Sequence, residues 1–558
     1  MKVELRVLTP VHIGSHNDYQ PFDYFVYNQK VYFQPEALVQ RFLSEQEPAL
    51  VEEYVAHVDA YAKKLADAHH NREQNKLRND SSFAAFLQKK DPALKEKFAA
   101  CLERWGRQPV PLHSEGYPGQ QIRAHQKVNG QPYIPASSLK GAIRTALFYD
   151  YLTRRADKKA LEESISRALR QAKEKGTEKE KIDAGIEHTA FYAGVEKNKT
   201  IKYTDEKFDV LKFLRLSDAM PAGQAPRLVI NKVQICILKD GSINTQGQAP
   251  WAEVIAEDSR FVFDLDIDLP AMAALRKLWD AGNDQIRTKE GIIWKDIAKK
   301  MRHAFDFDWQ NFDPHSTESL QAARKKILTH LWNAIRRFSA AQLEHDYRWL
   351  ETLKPHVRSN PMLFNGLKNT YQNLLKQLQE HCLLHVGYAT GFHGTTFFLA
   401  LQDIKDYIYL LENYKIGLPP KVTAEGSYMN TARFPKSRRI LSTPQADAPM
   451  GWIELLPEET IDLQPLALQG GQEAEAQSKV EVFTGKIKQN AVVPAVVEEP
   501  GSPNKVRLLI QYEHYDNELI PMTGYSSALE KGTYCEVIIN QLKKKKQILQ
   551  VGFKKIIN

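Results

Sequence analysis

Residues 2–8 alternate Val3, Leu5 and Val7 against Lys2, Glu4 and Arg6, the two-residue period of a strand with one buried face, until Thr9-Pro10 interrupts the pairing. Strand-like segments return at 228–238 and 260–269, where Phe261, Phe263, Leu265 and Ile267 alternate with Val262, Asp264, Asp266 and Asp268. Strands so far apart in the chain must pair across long insertions, which excludes a simple repeat or a bundle. The intervening segments are helical in spacing. Residues 35–106 are rich in Glu, Lys, Ala and Leu, with Leu38, Phe42 and Leu43 on one face, and 270–380 contains WKDIAKKMRHAF and ARKKILTHLWNAIRRF as amphipathic runs. DYFVYNQKVYF at 23–33 reads as a hairpin turning at Asn28-Gln29, and further strands are expected around 383–386 and 397–401.

A chain of 558 residues exceeds one ordinary core and suggests about three or four units of ~150 residues. The expected division is a main region over 1–463, a linker at 464–479 (QPLALQGGQEAEAQSK) and a small β-barrel or OB-like module at 480–558, with short strands such as VEVFTGKIKQ, KVRLLIQYEH and YCEVIINQL. Residues 154–183 are highly charged and read as a solvated helix followed by a loop. Hydrophobic residues at 42% and charged residues at 26% fit a globular chain. No apolar run of about 18 residues is present to span a bilayer, and charges at Lys2, Glu4 and Arg6 stand where a secretion signal needs apolar residues. A cytoplasmic location without membrane contact is expected. Cys101, Cys236, Cys382 and Cys535 are too widely spaced for a disulfide framework or a zinc site. The net charge of +8 permits a polyanionic partner without requiring one.

Four segments carry candidate chemistry. In LTPVHIGS, Gly14 allows close approach of a ligand, and His12 and Ser15 lie beside it, with an ordinary turn as the competing reading. In IPASSLKGAIR, Ser137 or Ser138 is the expected N-cap of a helix carrying Leu139, Ile143, Ala146 and Leu147 on one face. Its free N–H groups, Lys140 and Arg144 suit a phosphate, whereas the competing reading is a capped helix with solvated cations. VGYATGFHGTT places Gly387, Gly391, His393 and Gly394 in a loop that suits a polyanion backbone, with Tyr388, Phe392 or His393 available to stack on a base. RFPKSRR puts four cations, including Lys436, Arg438 and Arg439, within seven residues, and the Lys543–Lys546 run reads as a turn kept soluble by charge. Neither GxxxxGK[ST] nor GxGxxG occurs at these glycines, so no nucleotide cofactor is expected. Asp264, Asp266 and Asp268 share a strand face and read as a solvated acidic surface that faces away from any bound nucleic acid, not as a metal site.

Together, LTPVHIGS, YIPASSLKGAIRTAL, FLRLSDA at 213–219, HVGYATGFHGTT, and RFPKSRRIL followed by MGWIEL resemble the RAMP superfamily of CRISPR-associated proteins, and within it the family of the fifth Csm subunit of type III-A effector complexes. The resemblance is scattered over 1–456. It implies an α+β protein with a ferredoxin-like (RRM-like) core, large helical insertions, and a C-terminal β-rich module that lies outside the family pattern. It further implies a subunit that binds guide RNA (crRNA) and caps its 3′ side. The partners it implies are target RNA, the repeated backbone subunit and other subunits of the assembled complex, with a part in crRNA maturation and antiviral defence and no target cleavage of its own. Carried over by position, the RNA-binding residues are His12, Gly14, Ser15, Ser137, Ser138, Lys140, Arg144, Gly387, Gly391, His393, Gly394, Lys436, Arg438 and Arg439. Two departures stand out: the family has glycine where this chain has Ala136 and His16. The alternative from another class is a metal-independent endoribonuclease with His12 or His393 as general acid or base.

Overall fold

The computed structural model describes all residues except 68–76, 78–79, 115–120, 157–158, 160, 164, 168–186, 189, 198–199, 203–207, 240–241, 247–249, 281–293, 310, 402–434, 436, 443–446, 467, 469–488, 502, 511–518, 526–528, 530–532, 543–547 and 557–558. Most of the charged 154–183 segment, most of the 464–479 linker, the VEVFTGKIKQ segment up to 488, Lys436 and the Lys543–Lys546 run therefore lie outside the described residues. Two compact units are present, Met1–Leu466 and Ala467–Asn558.

In the first unit, β1 (Lys2–Val7) is followed by the hairpin β2 (Tyr24–Tyr27) and β3 (Lys30–Phe33). Asn28 and Gln29 take φ of 49° and 57°, the paired positive values of a turn whose twist matches that of the strands. Helices α1 (Glu36–Gln46), α2 (Ala49–Asp67), α3 (Phe83–Lys90) and α4 (Ala93–Arg104) come next, and Phe42, Phe83 and Phe98 close over Phe25 and Tyr32 of the hairpin as a small separate core. Then follow β4 (Ile122–Arg123), α5 (Ala136–Arg154), β5 (Leu214–Leu216), β6 (Leu228–Lys239), β7 (Trp251–Ile255) and β8 (Arg260–Ile267). The long helix α6 (Thr317–Glu351) and α7 (Pro361–Glu380) precede β9 (Cys382–His385), the short α8 (Gly391–Thr395), β10 (Ser437–Ser442), β11 (Asp447–Pro449) and β12 (Trp452–Pro457).

The N-terminal strand lies at the middle of a sheet ordered β5-β8-β1-β12-β9, with every neighbouring pair antiparallel. Because β5 and β1 each run antiparallel to β8 between them, they are parallel to one another, and α5 makes the crossover that parallel strands require. Val3, Leu5 and Val7 are fully buried on one face. Leu139, Ile143, Ala146 and Leu147 of α5 and Ile327, Leu331 and Ile335 of α6 cover them. The opposite face carries ion pairs: Arg6 Nε reaches Glu454 at 2.9 Å, Arg324 Nε reaches Asp266 at 2.7 Å and Arg215 holds Asp268 at 2.6 Å. A second sheet, ordered β11-β10-β6-β7-β4, stands beside the first, with β6 at its centre.

Two expectations are corrected here. Residues 397–401 form a 3-10 helix, Phe397–Leu401, and not a strand; its phenylalanines and leucines are buried, and a short unbroken apolar run cannot by period alone distinguish a strand from a buried helical turn. The N-cap of α5 is Pro135, whose side chain caps nothing, so neither Ser137 nor Ser138 has that role.

In the second unit β13 (Val492–Glu499), β14 (Asn504–Leu508), β15 (Ile520–Thr523), β16 (Tyr534–Leu542) and β17 (Ile548–Ile556) close into a barrel ordered β13-β14-β15-β17-β16. Only β15 and β17 pair in parallel. Val493, Ala495, Val497, Val506, Met522, Val537, Ile539 and Val551 fill it. β13 tolerates Pro494 because that residue contributes only its carbonyl, which accepts from Leu509 N at 2.7 Å.

Candidate nucleic-acid interface

The turn after β1 is threaded between the two sheets: Leu8 N and Thr9 N donate to Trp452 O, and Val11 N donates to Ile255 O at 3.0 Å. This brings the His12 carbonyl against the glycine-bearing segment after β9. Tyr388 N donates to His12 O at 2.9 Å, and the preceding Gly387 has φ of +83°. A Cβ at Gly387 would run into the His12 carbonyl oxygen, so both the conformation and the space require glycine. Further along, a Cβ at Gly394 would lie 2.8 Å from Gln342 Nε2 of α6, so this glycine serves packing. Gly391 opens the short α8. Gly14 bridges to His125, and Ser15 N donates to Ala124 O at 3.0 Å. His16 has φ of 66°, a conformation suited to the glycine that the resemblance leads one to expect there.

His12 is buried, and its Nδ1–H donates to Glu253 O at 2.8 Å, because a carbonyl can only accept. His125, whose ring lies 6.0 Å away, takes the opposite tautomer: Nδ1 accepts from Ile13 N at 3.2 Å and Nε2 donates to Tyr133 O at 3.3 Å. Burial lowers the His12 pKa. Burial, and then the charge of a protonated His12, push His125 down to about 3. Both imidazoles are therefore neutral near pH 7. Below them the fully buried Glu253 receives Lys127 Nζ at 2.5 Å and His125 N at 3.0 Å. Burial by itself would lower the Lys127 pKa, but the Glu253 carboxylate more than offsets this and keeps the ammonium charged.

On this base stands the Tyr388 ring. Arg123 from β4 packs over it at 4.4 Å and Arg439 from β10 at 4.1 Å, the latter also donating to Tyr388 O at 2.8 Å. Among the described residues no carboxylate pairs with either guanidinium. Two cations held on one aromatic ring without a counter-ion form a ready binding surface for a polyanion. Arg123 went unnoticed in the sequence, as did His125, Lys127 and Glu253. QIRAHQKV has no motif spacing, and only the meeting of β4 with β7 brings these residues to the loop.

The other sequence candidates are occupied otherwise. At the start of α5, Ala136 N donates to Asp218 Oδ1 at 2.7 Å, so the anion site of that helix is filled by the chain's own FLRLSDA segment. Lys140 donates to Leu214 O at 2.8 Å, and Arg144 is held by Glu187 and Asp209 over the Phe191 and Tyr192 rings. Ser137 is exposed and Ser138 half-buried in the first turn. Arg438 bonds Asp346 at 2.6 Å over Trp349. His393 is buried against His345, with ring centroids 4.3 Å apart, whereas His12 faces His125 and Tyr388. Asp266 and Asp268 are neutralised by arginines, and no group of three or more His, Cys, Asp or Glu among the described residues is placed to hold a metal ion.

The model of the RAMP superfamily matches residues 4–242, from β1 through the first crossover into β6. Over that stretch the chain is similar to the RAMP superfamily. The chain is 21% identical over 473 residues to the CRISPR protein Csm5 of Methanocaldococcus jannaschii, covering 82% of this chain and 88% of that one. Among solved structures, it is similar to a chain of the cryo-EM Csm–crRNA–target RNA ternary complex of a type III-A CRISPR-Cas system (23% identity, TM-score 0.47, 82% of this chain and 100% of that chain). It is also similar to the crystal structure of T. onnurineus Csm5 (18% identity, TM-score 0.48, 81% and 99%). No helix among the described residues is long and apolar enough to cross a membrane.

Proposed function

We propose that the chain is the Csm5-type subunit of a type III CRISPR effector ribonucleoprotein, binding crRNA on its 3′ side beside the backbone subunit and contributing to crRNA maturation. The RAMP match and the resemblance to Csm5 support membership of such a complex. The observation that carries RNA binding is the Arg123–Tyr388–Arg439 group, two cations with no carboxylate partner among the described residues on a glycine-positioned ring. The order β5-β8-β1-β12, with α5 and α6 on one face, supports a ferredoxin-like βαββαβ core to which β9 adds an edge strand. The barrel order, with β15 parallel to β17, supports an OB-like C-terminal module. The open sheet face of the core is laced with acid–arginine pairs, so RNA runs along the loop side between the sheets.

The endoribonuclease reading is not favoured. His12 and His393 are buried, they pack against different histidines, and a neutral His12 cannot serve as general acid at neutral pH. The tagged protein purified from its native cells is expected to carry short RNAs sharing a repeat-derived end, together with CRISPR subunits. RNA-free protein lacking those partners would refute the assignment. In vitro, Arg123→Ala with Arg439→Ala is expected to flatten the log–log salt dependence of RNA binding by about 1.4, the release expected from two single-strand phosphate contacts. An unchanged slope would remove these arginines from the interface.

A further inference from the structure

An open cleft of about 590 Å³ shares Tyr388 and Arg439 with the interface and is lined besides by His385, Asp346, Arg438 and Thr395. Its size is that of a small-molecule site. Among the buried atoms of its lining, Arg438 Nη2 and His385 Nδ1 have no hydrogen-bond partner among the described residues. The guanidinium is otherwise fully used, with Nε on Asp346 Oδ1 and Nη1 on Pro435 O, both at 2.6 Å. Nη2 therefore offers its two N–H donors in fixed directions. His385 Nε2 lies 2.8 Å from Met450 O, which can only accept, so the proton sits there and Nδ1 presents a lone pair. The Trp452 ring, stacked at 4.4 Å, holds the imidazole in that orientation. Burial pushes the His385 pKa down to about 4, with Asp346 and Arg438 as the charged groups facing it, so the tautomer persists at neutral pH.

A buried donor and acceptor left unanswered are costly, which marks the pair as a place for a ligand. The ligand must bring an acceptor and an N–H donor together. A phosphate carries acceptors only and would leave His385 Nδ1 unmatched, whereas the edge of a nucleobase carries both. At the shared edge, Arg123 and Arg439 stand where the flanking phosphates of such a nucleotide would pass. We propose that this cleft receives one everted base of the bound RNA, with Arg438 Nη2 donating to a ring nitrogen or carbonyl oxygen and His385 Nδ1 accepting from an imino or amino N–H. This rests on the RNA-binding reading above.

The test uses the full chain and a short fluorescent single-stranded RNA, compared by anisotropy with the same RNA carrying one abasic ribose at each position in turn. Loss of the base at one position is expected to weaken binding about ten-fold, within the range for one recognised base, while loss at the others has little effect. Thr395→Trp fills the cleft from an exposed position, and His385→Phe keeps the stack on Trp452; either should bring the intact RNA down to the affinity of the abasic one, with the thermal transition of Thr395→Trp unchanged. RNA bound in a salt-dependent manner with every abasic position tolerated would overturn the cleft and leave the interface standing. No RNA bound by a folded wild-type chain would overturn both.

Discussion

Tyr388 meets two arginines because the residue before it has no side chain. Gly387→Ala forces a positive φ on a Cβ that also meets the His12 carbonyl, and is expected to destabilise the first unit by about 1–3 kcal/mol in urea unfolding and to lower RNA affinity. A variant as stable as wild type would show that the loop relaxes freely. His16 gives the opposite case. A non-glycine residue at φ of 66° is held there by its surroundings, so His16→Gly is expected to gain about 0.5–1 kcal/mol, seen as a higher urea midpoint. The buried histidines set the acid response. Burial lowers His125 to about 3, and lowers His330 and His385 to about 4, so the unfolded chain binds more protons than the folded one below the ordinary value of 6.5. Their effect on stability is absent above that pH and grows as a loss while pH falls from about 6.5 toward 3. His125→Gln should flatten the fall of the urea midpoint between pH 6.5 and 4, and an unchanged profile would show that His125 is not neutral in the fold.

At the scale of elements, α5 shows how a strand-to-helix junction that looks like an anion site in sequence can be satisfied from within. Asp218 takes the N–H of Ala136, and Glu187 and Asp209 take Arg144. Arg144→Met would leave two partly buried carboxylates side by side. The expected outcome is a lower thermal midpoint with an RNA salt slope equal to wild type; a flattened slope would return this helix start to the RNA interface. The one-sided apolar face of α5 was legible, since Leu139, Ile143, Ala146 and Leu147 all reach the core. What occupies its N-terminus was not, because Asp218 is remote in sequence and becomes a neighbour through the bridge between Ile134 and Ala219. In the same way Phe397–Leu401 satisfies its apolar run as a 3-10 helix under α5, a choice made by packing.

At the scale of the molecule, the two units have separate hydrophobic cores, one spanning the β1 sheet with α5 and α6, the other closed inside the barrel. The full chain is expected to unfold in two calorimetric transitions, the smaller reproduced by residues 467–558 expressed alone; a single transition would show that the barrel depends on the rest. Much of this plan is written locally. Alternation at Val3, Leu5 and Val7, the Asn28-Gln29 turn, the helical spacing of 35–106 and the glycines around Tyr388 each act through the backbone or through one buried face, so the sequence by itself determined the elements, their buried sides and the RAMP resemblance. The tertiary structure alone decided which cations remain available. Arg123, far from the loop in sequence, reaches Tyr388 through the β4–β7 pairing, while carboxylates neutralise Arg144 and Arg438, the latter keeping Nη2 open toward the cleft. A charge in a sequence has no partner until the fold brings one within reach.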